Sequence, residues 1–242
     1  MTDLLDRLRR FDTPTIANVI ELFEVRPRTE GYMDSRIRAC FPEMPPMVGY
    51  ASTATIRCAF PRRDGDVYRS LDDQLQAFGS LPGPAVVVFQ DLDDPSAAAT
   101  FGEIMCTTYQ AFGAAGLITS GTARDLDQVR RIGFPAFSAG INCSHGYSHV
   151  VDVHVPVRVG GLAVHPGMLL HGDANGVTSI PDEIAADVAG AADEYVAAEG
   201  VILDFLKAGS KDVAGFSAAR NEAQSRMKTL SERVRMRGRA SG

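Results

Sequence analysis

The sequence predicts an α/β domain built on a parallel or mixed sheet, and three observations carry that reading. Short apolar runs recur through the middle of the chain: PGPAVVVFQ (82–90), GLITS (116–120) and PAFSA (135–139). Continuous rather than alternating apolarity marks strands covered on both faces, as parallel strands are. Amphipathic stretches at helical spacing separate these runs, which is the strand–helix alternation of a layered α/β fold. Finally, 242 residues, 45% hydrophobic and 22% charged, suit one sizeable core, and no internal repeat or low-complexity linker interrupts them.

Each element has a local cause. Residues 2–10 read as a short helix. Thr13 can cap a second helix with Pro14 at its first helical position, and Ile16, Val19, Ile20 and Phe23 form its apolar face. A looser stretch with prolines at 27, 42, 45 and 46 leads to the strand YASTATIRC (50–58). Val67, Leu71, Leu75 and Phe78 predict a helix over 67–79, Phe101 to Phe112 a second, and DLDQVRRIG a third. Val151, Val153, Val155, Val157 and Val159 alternate with Asp152, His154, Pro156 and Arg158, the pattern of a half-buried strand. Short strands follow, punctuated by Gly161, Pro166–Gly167 and Asn175–Gly176. From Pro181 the sequence is helical, and Gly209 breaks it. The organisation expected is a single domain over 1–242, with 182–242 as a C-terminal helical arm suited to packing on a neighbouring subunit.

Charge and composition narrow the function. A net charge of −6 gives no basic excess to neutralise a phosphate backbone, so nucleic acid is not an expected partner. No segment approaches the ~20 apolar residues of a membrane span, and the N-terminal MTDLLDRLRR lacks a signal-type apolar run. Cys40, Cys58, Cys106 and Cys143 show no CxxC pairing and read as reduced, mostly buried thiols. The expectation is a cytoplasmic protein without membrane contact. Lysine occurs only at 207, 211 and 228, so the central chain lacks the desolvated lysine of a Schiff-base enzyme.

Several constellations could carry chemistry. Gly102-Glu103-Ile104-Met105 opens a helix after the small-residue run SAAAT, where free backbone N–H groups make an anion site; alternatively, Glu103 only complements the helix dipole. Ser120-Gly121-Thr122-Ala123-Arg124-Asp125 follows a buried strand, the usual ligand side of such sheets. There Arg124 could clamp a carboxylate and Asp125 could hold a hard cation. Equally, Asp125 with Gln128 resembles a capping box. His145 and His149 have a zinc-like spacing only if both lie on one helix, which Gly146 argues against. Asp173, beside His171, fits the hairpin turn at Asn175–Gly176. Asp91, Asp93 and Asp94 fit a solvated acidic loop better than a metal site.

Taken together, GEIMCTTYQAFGAAGLITSGTARDLDQV resembles the signature of the 4-hydroxy-4-methyl-2-oxoglutarate aldolase family, which also contains the regulator of ribonuclease E activity A (RraA-like proteins). DTPTIANVIELF, VGYASTATI and FSAGINCSHGYSHVVDVHVPVRVGGLAVHPGMLLHGDANGVTSIP extend the likeness over roughly residues 12–210. The resemblance implies a swivelling β/β/α fold assembled as a homotrimer or homohexamer. It implies a lyase that releases pyruvate from a small 2-oxo acid, such as 4-hydroxy-4-methyl-2-oxoglutarate or oxaloacetate, with Mg2+ or Mn2+. By position, Asp125 matches the metal-ligating aspartate and Arg124 the substrate-holding arginine. Glu103 matches the acid that orders metal-bound water, and Gly102, Ile104 and Met105 the turn whose amides cradle the pyruvyl carboxylate. Glu199 matches a glutamate supplied across a subunit interface. Two departures, Ser120 and Met168, stand where the family often has Asp and bear on substrate and local geometry. A metal is consistent with the missing core lysine, because the enolate left by cleavage needs one or the other. A non-catalytic regulator binding a ribonuclease or another protein shares the same fold, as would an enzyme for a different acid.

Overall fold

The computed structural model describes residues 2–62, 69–209 and 211–240. In chain order these form α1 (Thr2–Leu8), α2 (Thr13–Glu21), β1 (Arg38–Ala39), β2 (Met47–Arg57), α3 (Arg69–Ala77), β3 (Ala85–Asp91), β4 (Ala99–Phe101), α4 (Glu103–Ala111), β5 (Gly116–Thr119), β6 (Thr122–Ala123) and α5 (Leu126–Arg131). β7 (Ala136–Ser138), β8 (Gly140–Ile141), β9 (His149–Val153), β10 (Val157–Val159), β11 (Leu162–Val164), β12 (Leu169–Asp173) and β13 (Gly176–Ile180) follow, then α6 (Ala185–Lys207) and α7 (Val213–Ala240). Two compact units result: Met1–Thr13 with Thr29–Ile180, and Pro14–Arg28 with Pro181–Gly242.

The first unit is a mixed α/β structure around an eight-stranded sheet of order β1-β7-β5-β3-β2-β12-β13, with β9 also paired to β2. β2, β3, β5 and β7 run parallel, while β1, β9, β12 and β13 join antiparallel. The apolar runs are explained by the strand period. On β3, Ala85, Val87 and Phe89 enter one core cluster and Val86 and Val88 another. Leu117 and Ile118 of β5 divide the same way, so each run must be apolar throughout. A smaller parallel sheet, β4-β6-β8, sits at the ends of these strands.

Most expected elements are present, with two local differences. Phe101 ends β4 rather than starting α4, because its carbonyl accepts Arg124 N–H across the small sheet. The helix expected over 67–79 is present as α3 (Arg69–Ala77), and Val67 of that expectation lies outside the described residues. The alternating valines do not form one strand. His154 takes a left-handed conformation (φ 61°) where its N–H binds Thr53 O and Thr53 Oγ1 donates to Val155 O. β9 therefore pairs with β2, and β10 pairs with β11.

In the second unit α6 and α7 pack along each other, linked by Arg233 Nη2 to Glu194 at 2.6 Å. Ser231 Oγ donates to Leu22 O, and Arg235 pairs with Glu24 at 2.7 Å. The expected arm thus makes up most of this unit, and residues 14–28 join it. Among the described residues no helix is long and apolar enough to cross a membrane.

Candidate active site

The candidate site is assembled at the strand ends of the small sheet. β4 and β6 pair in parallel, with Phe101 opposite Ala123, so the residues that follow each strand, Gly102 and Arg124, become neighbours. Threonines tie the layer together: Thr100 Oγ1 lies 2.9 Å from Thr119 Oγ1 and donates to Thr122 O, and Gly121 N–H donates to Thr119 Oγ1. A Cβ on Gly121 would lie 2.5 Å from Thr100 Cγ2 and 2.6 Å from Asp91 Oδ2, so only glycine fits. Ser120 Oγ accepts Asp91 N–H at 2.9 Å, which gives this departure from the family pattern a role in anchoring the loop. Burial pushes the Asp91 carboxyl above the usual carboxylate range.

Asp125 performs two local tasks. Its backbone is left-handed (φ 55°), and its carbonyl accepts Val129 N–H to open α5. Its side chain does not cap α5, so the capping box with Gln128 is absent. Instead Oδ2 reaches across and accepts Glu103 N–H, the first amide of α4, at 3.0 Å. A left-handed non-glycine residue costs of order 1–3 kcal/mol, and such residues concentrate where a site dictates the backbone. Gly102 makes the approach possible. A Cβ there would lie 2.4 Å from Asp125 Oδ2 and 3.0 Å from Arg124 Nε.

Arg124 Nε lies 3.6 Å from Asp125 Oδ2, too long for a forked pair, and each side chain is 32% exposed. Among the described residues, the Arg124 Nη groups and Asp125 Oδ1 have no hydrogen-bond partner. A free guanidinium fork and a free carboxylate oxygen thus stand side by side. Both Arg124 and the first turn of α4 (Gly102, Ile104, Met105) line a cavity of about 520 Å³. With Glu103 N–H taken by Asp125, the amides of Ile104 and Met105 remain as first-turn donors that no i−4 carbonyl can satisfy. Such an arrangement of donors is chemically able to receive an anion.

Among the described residues no three His, Cys, Asp or Glu side chains gather in a metal-binding group. The described residues therefore offer no all-protein cage. Mg2+, and Mn2+ with its similar oxygen preference, is commonly held by one or two carboxylates plus water and substrate oxygens, and Asp125 Oδ1 fits that mode.

Other expected residues fall into place differently. Glu103 is the exposed first residue of α4, and its side chain is not in the cavity wall. Glu199 lies on α6 in the second unit, where it accepts the Tyr195 hydroxyl; burial first, then this carboxylate, pushes that phenol up to about 12. Met168 packs beside the core, its sulfur accepting His165 N–H at 3.0 Å. Asp173 serves its turn through Asn175 N–H and also accepts Thr13 N–H. Asp93 is not solvated: it accepts Cys58 and Ala59 N–H at 2.6 and 2.8 Å and is 8% exposed.

Sequence reasoning missed one wall of the cavity. His145, Tyr147 and His149 line it because β9 returns antiparallel on β2, with His149 opposite Arg57. The turn before β9 is pinned by Tyr147 N–H on Cys58 O, and Gly146 (φ 51°) leaves no room for a Cβ, which would lie 2.6 Å from that oxygen. The His-x-x-x-His spacing was the available signal, and with Gly146 arguing against a zinc pair it was not carried further.

Residues 13–178 match the RraA-like (Aldolase/RraA) family over more than half of the chain. The chain belongs to the RraA-like family. A relative from Halalkalibacterium halodurans, provisionally named 4-hydroxy-4-methyl-2-oxoglutarate aldolase, is 31% identical over 105 residues, 43% of this chain and 49% of that protein. The chain thus spans about half the length of this relative. A protein of the same provisional name from Xanthomonas campestris pv. campestris (strain 8004) is 30% identical over 141 residues, covering 57% of this chain and 77% of its own. Two solved structures share the RraA-like fold. One is an uncharacterized protein from Pseudomonas syringae pv. tomato (TM-score 0.69, 23% identity, 91% of this chain and 93% of that one). The other is Streptomyces coelicolor RraAS2, described as an unusual member of the RNase ES inhibitor RraA family (TM-score 0.64, 23% identity, 82% and 94%).

Proposed function

We propose that this RraA-like chain is a divalent-metal-dependent lyase that releases pyruvate from a small 2-oxo acid, by retro-aldol cleavage or by decarboxylation. The observation that carries this reading is the juxtaposition on one cavity of Arg124 and the first turn of α4, with the free Asp125 oxygen beside Arg124 and outside the lining itself. The provisional aldolase names of the two relatives agree with it. The substrates it fits include 4-hydroxy-4-methyl-2-oxoglutarate and oxaloacetate.

The chain's residues divide the work. The amides of Ile104 and Met105 hold the carboxylate of the pyruvyl half, aided by the dipole of α4. Arg124 fixes the substrate plane and places a permanent positive charge where the enolate forms. Asp125 would hold Mg2+ or Mn2+, which when bound supplies further positive charge against the pyruvyl oxygens. Glu103 contributes an acid at the helix entrance, and Glu199 a carboxylate delivered by a neighbouring copy in a homotrimer or homohexamer. Cleavage to an aldehyde or ketone and loss of CO₂ leave the same enolate, so one site serves both.

The test is a panel of 2-oxo acids with Mg2+, Mn2+ or chelator, read by pyruvate release. Metal-dependent release from at least one acid is expected. No release from any acid, together with a stoichiometric protein partner, would replace the lyase with a binding protein.

A further inference from the structure

We infer that His149 is the base that removes the 4-hydroxyl proton in retro-aldol cleavage, an inference that rests on the lyase reading above. Such cleavage needs a proton acceptor that decarboxylation does not. Neither Arg124, permanently charged, nor Asp125, whose Oδ2 accepts Glu103 N–H and whose Oδ1 is assigned to the metal, is suited to that task, and Glu103 is not in the cavity wall.

His149 meets the requirement in three ways. It lines the same cavity as Arg124. It is half-buried at the start of β9, held by pairing with Arg57 of β2, so its backbone belongs to the sheet rather than to a loose loop. Its Nδ1 lies 2.8 Å from Tyr147 O. A carbonyl only accepts, so Nδ1 carries the hydrogen and the neutral ring keeps a lone pair on Nε2. The carbonyl that fixes this tautomer is itself anchored, because Tyr147 N–H binds Cys58 O at 2.9 Å. His145, the other imidazole in the wall, is exposed, and among the described residues its ring has no hydrogen-bond partner, so nothing sets its tautomer.

The step balances without another reagent. The Nε2 lone pair takes the proton of the C4 hydroxyl, and the O–H electrons form the new C4 carbonyl. The C3–C4 electrons move into C2–C3 as the enolate of pyruvate. The imidazolium then returns its proton to C3, giving pyruvate and restoring neutral His149.

The experiment compares the parent chain, His149→Asn and His145→Asn with Mn2+ on 4-hydroxy-4-methyl-2-oxoglutarate and on oxaloacetate. In His149→Asn the introduced side-chain amide can still donate to Tyr147 O, which preserves the local fold while removing the base. Expected in His149→Asn is a fall in kcat for retro-aldol cleavage of about 100-fold or more, within the usual range for general acid–base catalysis. Oxaloacetate decarboxylation and oxalate binding should stay within about threefold, and His145→Asn should keep both activities. Histidine ¹⁵N spectra of the parent should show Nδ1–H at His149. Equal loss of both activities, retro-aldol cleavage within threefold of the parent, or an Nε2–H tautomer would each overturn the assignment. A parent chain inactive on every acid would instead defeat the underlying lyase reading.

Discussion

Gly102→Ala is the sharpest structural perturbation of the candidate site. The glycine is needed for space, not for its backbone angles, since φ −158° is extended and open to any residue. The new Cβ would lie 2.4 Å from Asp125 Oδ2, 3.0 Å from Arg124 Nε and 3.2 Å from Arg124 Cγ. Ordinary carbon–oxygen contact is about 3.5 Å, so the carboxylate must retreat by roughly 1 Å. A misplacement of that size costs on the order of 100-fold in rate. The retreat also strains the Asp125 bond to Glu103 N–H, a cap worth about 1 kcal/mol. Pyruvate release and thermal unfolding separate the two effects: kcat/KM should fall about 100-fold and stability by about 1 kcal/mol. Gly113→Ala is the control. Its φ of +85° makes alanine costly by about 1 kcal/mol, but no atom lies within 4 Å of the new Cβ. It should lower stability and leave activity unchanged. Full activity in Gly102→Ala would refute the argument that this glycine brings Arg124 and Asp125 into working position.

Arg124→Lys keeps the charge but loses the planar fork. KM for the 2-oxo acid should rise about 10- to 100-fold, measured by steady-state kinetics. Tyr109→Phe removes the hydroxyl that donates to Gln74 Oε1 at 2.5 Å in a fully buried position. Stability should fall by about 1–3 kcal/mol in urea unfolding, because the amide oxygen is left without a partner. His171 sets a pH dependence: burial holds its pKa below the ordinary 6.5, while Leu8 O, Asp173, Phe11 O and Asp12 only partly oppose that. Between the two values the unfolded chain binds more protons, so this contribution is complete above pH 6.5 and is lost as pH falls through the lower folded value. Urea midpoints from pH 8 to 5.5 should decline in that direction, and His171→Gln should flatten the decline.

Local signals made much of this structure legible. The buried runs Ala85–Phe89 and Gly116–Thr119 are apolar at every position that faces either core cluster, so they announced central strands. Asn175–Gly176 announced the β12–β13 hairpin. Arg124 and Asp125 stood out as candidates because the loop after a buried strand is where such sheets place ligands. What escaped depends on long-range pairing. Nothing within residues 150–159 says that Thr53 will bind both His154 N–H and Val155 O and break the alternation. Nor does the sequence near Asp125 reveal that its side chain will cap α4 rather than α5, because the partner amide is 22 residues away. The imidazole wall has the same origin, since His149 reaches the cavity only through pairing with β2. The joining of residues 14–28 to α6 and α7 is likewise invisible locally.

The central claim is that Asp125 holds a divalent ion beside an Arg124-bound 2-oxo acid. Its most direct test is calorimetric titration of Mn2+ in the presence of pyruvate, into the parent chain and into Asp125→Asn. The asparagine can still accept Glu103 N–H through its amide oxygen, so the fold is preserved while the anionic ligand is lost. The account predicts saturable binding in the parent and at least about 100-fold weaker binding in Asp125→Asn, together with loss of metal-dependent pyruvate release. Equal Mn2+ affinity in both proteins would contradict it.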